Sequence, residues 1–281
     1  MKRLHLYVMP YLILLLLLLG CADAAHPVIA TTNVSEPEIA KTLVPSPFRT
    51  VHVYVALCDN KYQGIVPVPA FLGNGQDPKS NLYWGAAAGV KTFFRRKQSE
   101  WELVTAKANP SEMVLERLLF RHKTKPVYML ADAYDGQYIR QTTIDFLKAS
   151  SGARHEQVIH LKDTLVFGGA SNLVSYIGHD GLMDFSLDET FGAVNDQKRD
   201  AIILACYSKS YFSSKLKVSG AAPLVWTTGL MAPEAYTLHD ALGAWVNGKG
   251  APEVRTAAAK AYAKYQKCSL KAAQNLLVTG W

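Results

Sequence analysis

The strongest constraint on this chain is a set of five apolar runs, each closing abruptly in glycine or in polar residues. They are "TVHVYVALCDN" (50–60), "PVYMLADAYDG" (126–136), "NLVSYIGHDG" (172–181), "RDAIILACYS" (199–208) and "APLVWTTG" (222–229). Their apolar residues are nearly continuous rather than alternating, the pattern of strands buried on both faces. Helix-like segments follow or separate them. "YIRQTTIDFLKASSG" (138–152) turns Ile139, Thr143, Phe146 and Leu147 to one side. "PEAYTLHDALGAWVNG" (233–248) opens on proline and ends on Asn-Gly, and "PEVRTAAAKAYAKYQ" (252–266) and "SLKAAQNLLVTG" (269–280) close the chain. The alternation predicts an α/β fold in three layers, a mostly parallel sheet with helices on both faces.

Between the first two runs the pattern is more broken. Residues 61–81 carry three prolines and three glycines and read as a long loop. "GNGQDPKSN" (73–81) fits turn chemistry, with a substrate or ion loop as the alternative, since Asn74, Asp77 and Asn81 offer oxygens. "LYWGAAAGVKTFFRRK" (82–97) suits a helix interrupted by Gly85 and Gly89, and "WELVTA" (101–106) a short strand. "NPSEMVLERLLFRH" (109–122) carries helix-start signals: Asn109 as cap, Pro110 in the first turn and Glu112 reaching back.

The N-terminus reads as an export signal over residues 1–24. Lys2 and Arg3 precede an apolar core, and "LLGC" resembles a lipobox that would lipidate Cys21. Cleavage after "ADA" (22–24) and a retained anchor are the other readings, and all three send the domain out of the cytoplasm. Residues 25–49, rich in Pro, Thr, Ser and Ala, form a tether to a single domain over 50–281. This makes the expected location the cell envelope, with the membrane as a partner through the N-terminal lipid. The formal charge of +7 has no dense Lys/Arg tract behind it, so nucleic acid is not an expected partner. Besides Cys21 the cysteines are Cys58, Cys206 and Cys268, and no CxxC spacing suggests structural zinc. No GxSxG elbow, GxGxxG or Walker loop is present, which disfavours serine hydrolases and nucleotide binding.

Sites in parallel sheets lie at the carboxyl ends of the strands. Two of the runs end in complementary chemistry there: His179 follows "VSYIG" and Cys206 follows "AIILA". A thiol becomes a nucleophile when it loses its proton. An adjacent imidazole can take that proton and later deliver it to a leaving amine. Gly178 and Gly181 beside the histidine would let a carbonyl approach backbone N–H groups. Taken singly, Cys206 also fits a buried inert thiol and His179 a structural residue.

"YIGHDG" and "ILACYS", with "VYVALCDNKY" upstream and "LVWTTG" downstream, resemble the caspase-like cysteine peptidases, the group of caspases, metacaspases, legumain and gingipains. The resemblance implies a caspase-like three-layer fold and a hydrolase of peptide bonds, in a divergent bacterial member. It implies Cys206 as nucleophile, His179 as base and then acid, and an oxyanion held by backbone N–H groups near Gly181 and Cys206. A substrate peptide or protein is the implied partner, and neither metal nor organic cofactor is required. A specificity pocket near the strand ends would draw on Asp59, Asn60, Asp132 and Asp135, residues that otherwise cap turns. In the family glycine directly follows the histidine, whereas here Asp180 intervenes, and its carboxylate would repel a developing oxyanion. The alternative is therefore a module of the same fold that has lost activity and serves in binding or assembly in the cell envelope. A thiol transferase using the same pair is a third reading.

Overall fold

The computed structural model describes residues 47–281, which lie within one compact unit, Glu36–Trp281. The export leader, Cys21 and most of the tether lie outside the described residues. Among the described residues no helix is long and apolar enough to cross a membrane.

Ten strands are formed: β1 (Arg49–Ala56), β2 (Trp101–Ala108), β3 (Val114–His122), β4 (Val127–Tyr134), β5 (His155–His160), β6 (Asp163–Gly168), β7 (Leu173–Ile177), β8 (Asp200–Leu204), β9 (Ala222–Thr227) and β10 (Leu277–Val278). Eight of them make one sheet in the order β10-β9-β8-β7-β1-β4-β3-β2. The five runs singled out in the sequence are its parallel centre, β4, β1, β7, β8 and β9. Every residue of β4 and β7 is buried, and β1 and β8 have only their first residue less than buried. Helices on both faces make this burial possible, so the sheet is three-layered α/β, as the alternation predicts.

The faces follow the two-residue period of β1. Val51, Val53 and Val55 point into one core with Trp84, Phe94, Ala241, Leu242, Val254 and Ala258. That side carries α1 (Val90–Phe94), α4 (Ala235–Val246), α5 (Ala251–Gln266) and α6 (Leu270–Leu276). Tyr54 and Ala56 point into the opposite core with Phe146, Leu147, Tyr176, Phe212 and Leu216, beneath α2 (Ile139–Ser151) and α3 (Ser208–Ser219). Phe146 stacks edge-on against Phe212, with ring centroids 5.9 Å apart, which ties these two helices together.

Several sequence expectations are corrected. Residues 109–122 do not form a helix: Val114–His122 is strand β3, paired antiparallel with both β2 and β4. Asn109 adopts a left-handed φ of 46° at the turn, and the Val114 N–H bonds Ser111 Oγ instead of joining a helical turn. The apolar spacing of "VLERLLF" suits either element, and pairing with the open edge of β4 decides it. Residues 82–97 are helical only at Val90–Phe94. The preceding segment wraps around Asn81, whose carbonyl accepts the N–H groups of Trp84, Gly85 and Ala86. Gly85 is needed there because a β-carbon would run into the backbone carbonyl of Lys79. The last segment is helical over Leu270–Leu276, capped by Ser269, and then pairs as β10 along β9. The hairpin β5–β6 had no clear signal in the sequence and covers Leu119, Tyr128 and Leu130 through Val158, Leu165 and Phe167.

Candidate active site

β7 and β8 are adjacent, parallel and in register, with Ile177 opposite Leu204 at their carboxyl ends. His179 and Cys206 each lie two residues beyond that last pair. Neighbouring strands are about 4.8 Å apart, so both side chains are delivered to the same rim of the sheet. Gly178 makes the approach to His179 possible. Its φ is +149°, and a β-carbon there would lie 2.8 Å from the Ala56 carbonyl oxygen.

The histidine is fixed by its neighbours. Its ring is buried, and the Tyr176 hydroxyl donates to its carbonyl at 2.8 Å. Its Nε2 lies 2.7 Å from Asp184 Oδ2, an oxygen that also accepts the Gly64 N–H at 2.9 Å. A carboxylate only accepts, so Nε2 carries the hydrogen and Nδ1 is left as the basic nitrogen. Asp184 was not among the residues picked out in the sequence. Its signal is faint there: an acidic residue five positions after the histidine, separated from it by a turn. That turn is the 3-10 segment Gly181–Met183, capped by Asp180, and it brings Asp184 back to the ring.

Cys206 is half-buried rather than sealed in the core. It precedes Tyr207, a non-glycine residue with φ 50°, and then the first turn of α3. The strand thus ends in a sharp bend, with Cys206 immediately before the N-terminus of α3. A left-handed tyrosine is a strained conformation of the kind held at functional sites. The Met231 N–H points at the sulfur at 3.4 Å. Burial raises the thiol above its ordinary pKa, the Met231 backbone works against that, and the Asp180 carboxylate raises it further. No hydrogen bond joins Cys206 to His179 among the described residues; the sulfur bonds to the backbone of Met231. The backbone N–H groups of Asp180, Gly181 and Cys206 carry no hydrogen bond among the described residues.

The four carboxylate and amide residues expected to line a specificity pocket have other tasks. Asp132 is fully buried in β4, gripped by Arg117 Nε and Nη2 at 2.7 Å each and by His52 Nε2 at 3.1 Å. Its side chain belongs to an internal network that continues through Arg117 to Glu156 and Arg154, so it does not face a substrate. The reason is topological: β3 is a strand, and it sets Arg117 directly beside Asp132. Asp59 and Asp135 do sit at the rim, both buried and both held by Gln76 Nε2, at 2.8 and 2.6 Å. Asp135 also accepts the Gln137 N–H, and Asp59 those of Lys61 and Tyr62. Asn60 clamps its own loop, exchanging two hydrogen bonds with the backbone of Val68.

Among the described residues the other cysteines, Cys58 and Cys268, do not pair. Cys58 is buried and its thiol is pushed up to about 11 by burial, while Cys268 is exposed. An open groove of about 390 Å³ runs along residues 182–187 with Tyr211 and Lys215; Asp184, the partner of His179, lines it, while His179 and Cys206 do not. No group of three or more His, Cys, Asp or Glu side chains suited to a metal occurs among the described residues. Comparison with known proteins finds no matching family model, no similar curated protein and no similar solved structure.

Proposed function

We propose that this chain is a cysteine-dependent hydrolase of peptide bonds, with Cys206 as nucleophile and His179 as base. The observation that carries this reading is the adjacency of β7 and β8, which places the two residues at equivalent positions beyond neighbouring strand ends. The Asp184 hydrogen bond adds to it, because it leaves Nδ1 free to take a proton.

In the proposed reaction the Cys206 proton passes to His179 Nδ1, and the sulfur forms a bond to the substrate carbonyl carbon. The carbonyl electron pair moves to oxygen, where unengaged backbone N–H groups of the His179–Gly181 turn and of Cys206 can hold it. Collapse breaks the C–N bond, and the imidazolium protonates the leaving amine. Water, deprotonated by the same ring, then cleaves the thioester. Resting hydrogen bonds of such pairs are commonly long and tighten when substrate binds, which accommodates the present Met231 contact of the sulfur. The groove along residues 182–187, lined by both apolar and charged side chains, would accept part of the peptide.

A second reading, an inactive binding module, is favoured by one observation: the thiol is held by Met231 and raised by burial, with Asp180 adding to it, rather than activated by the ring. An electrophilic peptide probe separates the two. Hydrolase chemistry predicts modification of Cys206 well ahead of Cys58 and Cys268, and loss of that preference in His179→Ala. Three thiols reacting no faster than their exposure allows would end the hydrolase reading.

A further inference from the structure

Asp180 occupies the place where its charge matters most, and its side chain is left half-partnered. The residue is fully buried. Its Oδ1 caps the turn by accepting the Leu182 N–H at 3.0 Å. Its Oδ2 is buried with no hydrogen-bond partner among the described residues. An ionised carboxylate oxygen in that position would have neither water nor donor.

Among the described residues no cation compensates this carboxylate. Asp184, at the end of the same turn, is the charged group that bears on Asp180, and it is negative. Its own charge in turn bears on Cys206 after β8 and on Tyr176 of β7. The neighbouring His179 gives its Nε2 to Asp184. From α2, Arg140 reaches the Ser186 carbonyl and the Phe185 ring. From α3, Lys215 donates to the Leu187 carbonyl.

We propose that Asp180 is a charge-controlling residue of the Cys206 site: it stays neutral, with its proton on Oδ2, so that the thiolate forms without a second buried anion beside it. This rests on the hydrolase reading for its consequence, though not for the protonation itself. Burial carries the Asp180 carboxyl up to about 7, against the Leu182 hydrogen bond that lowers it. Below that value Asp180 keeps its proton, and transfer of the Cys206 proton to His179 creates no second anion in the site. As pH rises through that value, Asp180 ionises and holds the remaining thiol protonated. The Asp180 that interrupts the glycine-after-histidine pattern is then an acid gate rather than a mark of lost function.

Asp180→Asn tests this in the full chain carrying Cys21→Ser, Cys58→Ser and Cys268→Ser, so that iodoacetamide reports Cys206 alone. The amide keeps the acceptor for Leu182 and removes the charge. The expected result is an apparent thiol pKa lower by about one unit, which is about tenfold more thiolate at a given alkaline pH. The wild-type log rate should bend where Asp180 ionises, and the variant's should not. A difference infrared spectrum, wild type against variant at pH 6, should show the C=O stretch of one protonated carboxyl. Stability gives a further signature. A raised carboxyl pKa makes the folded state lose stability as pH rises from about 4 through about 7, and the variant lacks that decline. Absence of the carboxyl band, or identical pH profiles for the two proteins, would overturn the proposal. Failure of the peptide probe to select Cys206, with band and pH shift intact, would remove the hydrolase reading and leave the protonated Asp180 standing.

Discussion

Replacing Asp132 by asparagine asks whether this residue holds the fold or lines a pocket. The carboxylate accepts three hydrogen bonds, two from Arg117 at 2.7 Å and one from His52 at 3.1 Å, with no exposure to solvent. Burial alone would raise its pKa, yet the bonds from Arg117 and His52 reverse that and hold it at about 2 against an ordinary 3.8. That depression corresponds to roughly 2 kcal/mol between charged and protonated forms. Asparagine costs more, since the half-buried Arg117 loses its main charged partner and keeps only Glu156; this falls at the low end of the about 3–5 kcal/mol that breaking a buried pair costs. With an m-value of about 3 kcal/mol per molar urea, the midpoint at pH 7 should fall by about 1 M. The carboxylate's contribution is complete above pH 3.8 and drains away as pH falls through about 2, so the gap between the two proteins should narrow in acid. Urea titrations at pH 7 and pH 3 measure both, and the peptide-probe rate at Cys206 should not change in the folded variant. A loss under about 1 kcal/mol, or a selective change in probe reactivity with stability intact, would refute the structural role.

Asp184→Asn should leave the fold within about 1 kcal/mol, because Asp184 is partly exposed, while misplacing the proton on His179. Probe labelling of Cys206 should fall at least about tenfold, since positioned proton transfer is worth about 10²–10⁴-fold; an unchanged rate would deny Asp184 its orienting part. Gly85→Ala should destabilise by about 1–3 kcal/mol by driving a methyl into the Lys79 carbonyl, and a thermal melt reads it. An unshifted melt would show that the 77–86 turns yield freely.

The site was only partly legible in the sequence. His179 and Cys206 stand out because each closes an apolar run, and strand ends are where α/β sheets place chemistry. Asp184 was hidden because its role depends on a single 3-10 turn bending the chain back to the ring. Asp132 looked like a rim residue because its run ends in two aspartates, and only Arg117 across the β3–β4 pair distinguishes the buried one from Asp135. The segment 109–122 misled for the same reason: cap residues and apolar spacing are local, while the choice of strand came from an unpaired sheet edge.

What the sequence determined by itself was the class of fold. Continuous apolar runs cannot rest with one face in water, so they required helices above and below a parallel centre, and the chain supplies those helices between them. Tertiary structure alone decided which strands became neighbours, which carboxylates were neutralised by a cation and which were left without one. Those outcomes depend on contacts between residues distant in the chain, and the free energy of a buried charge is set by what surrounds it, not by its neighbours in sequence.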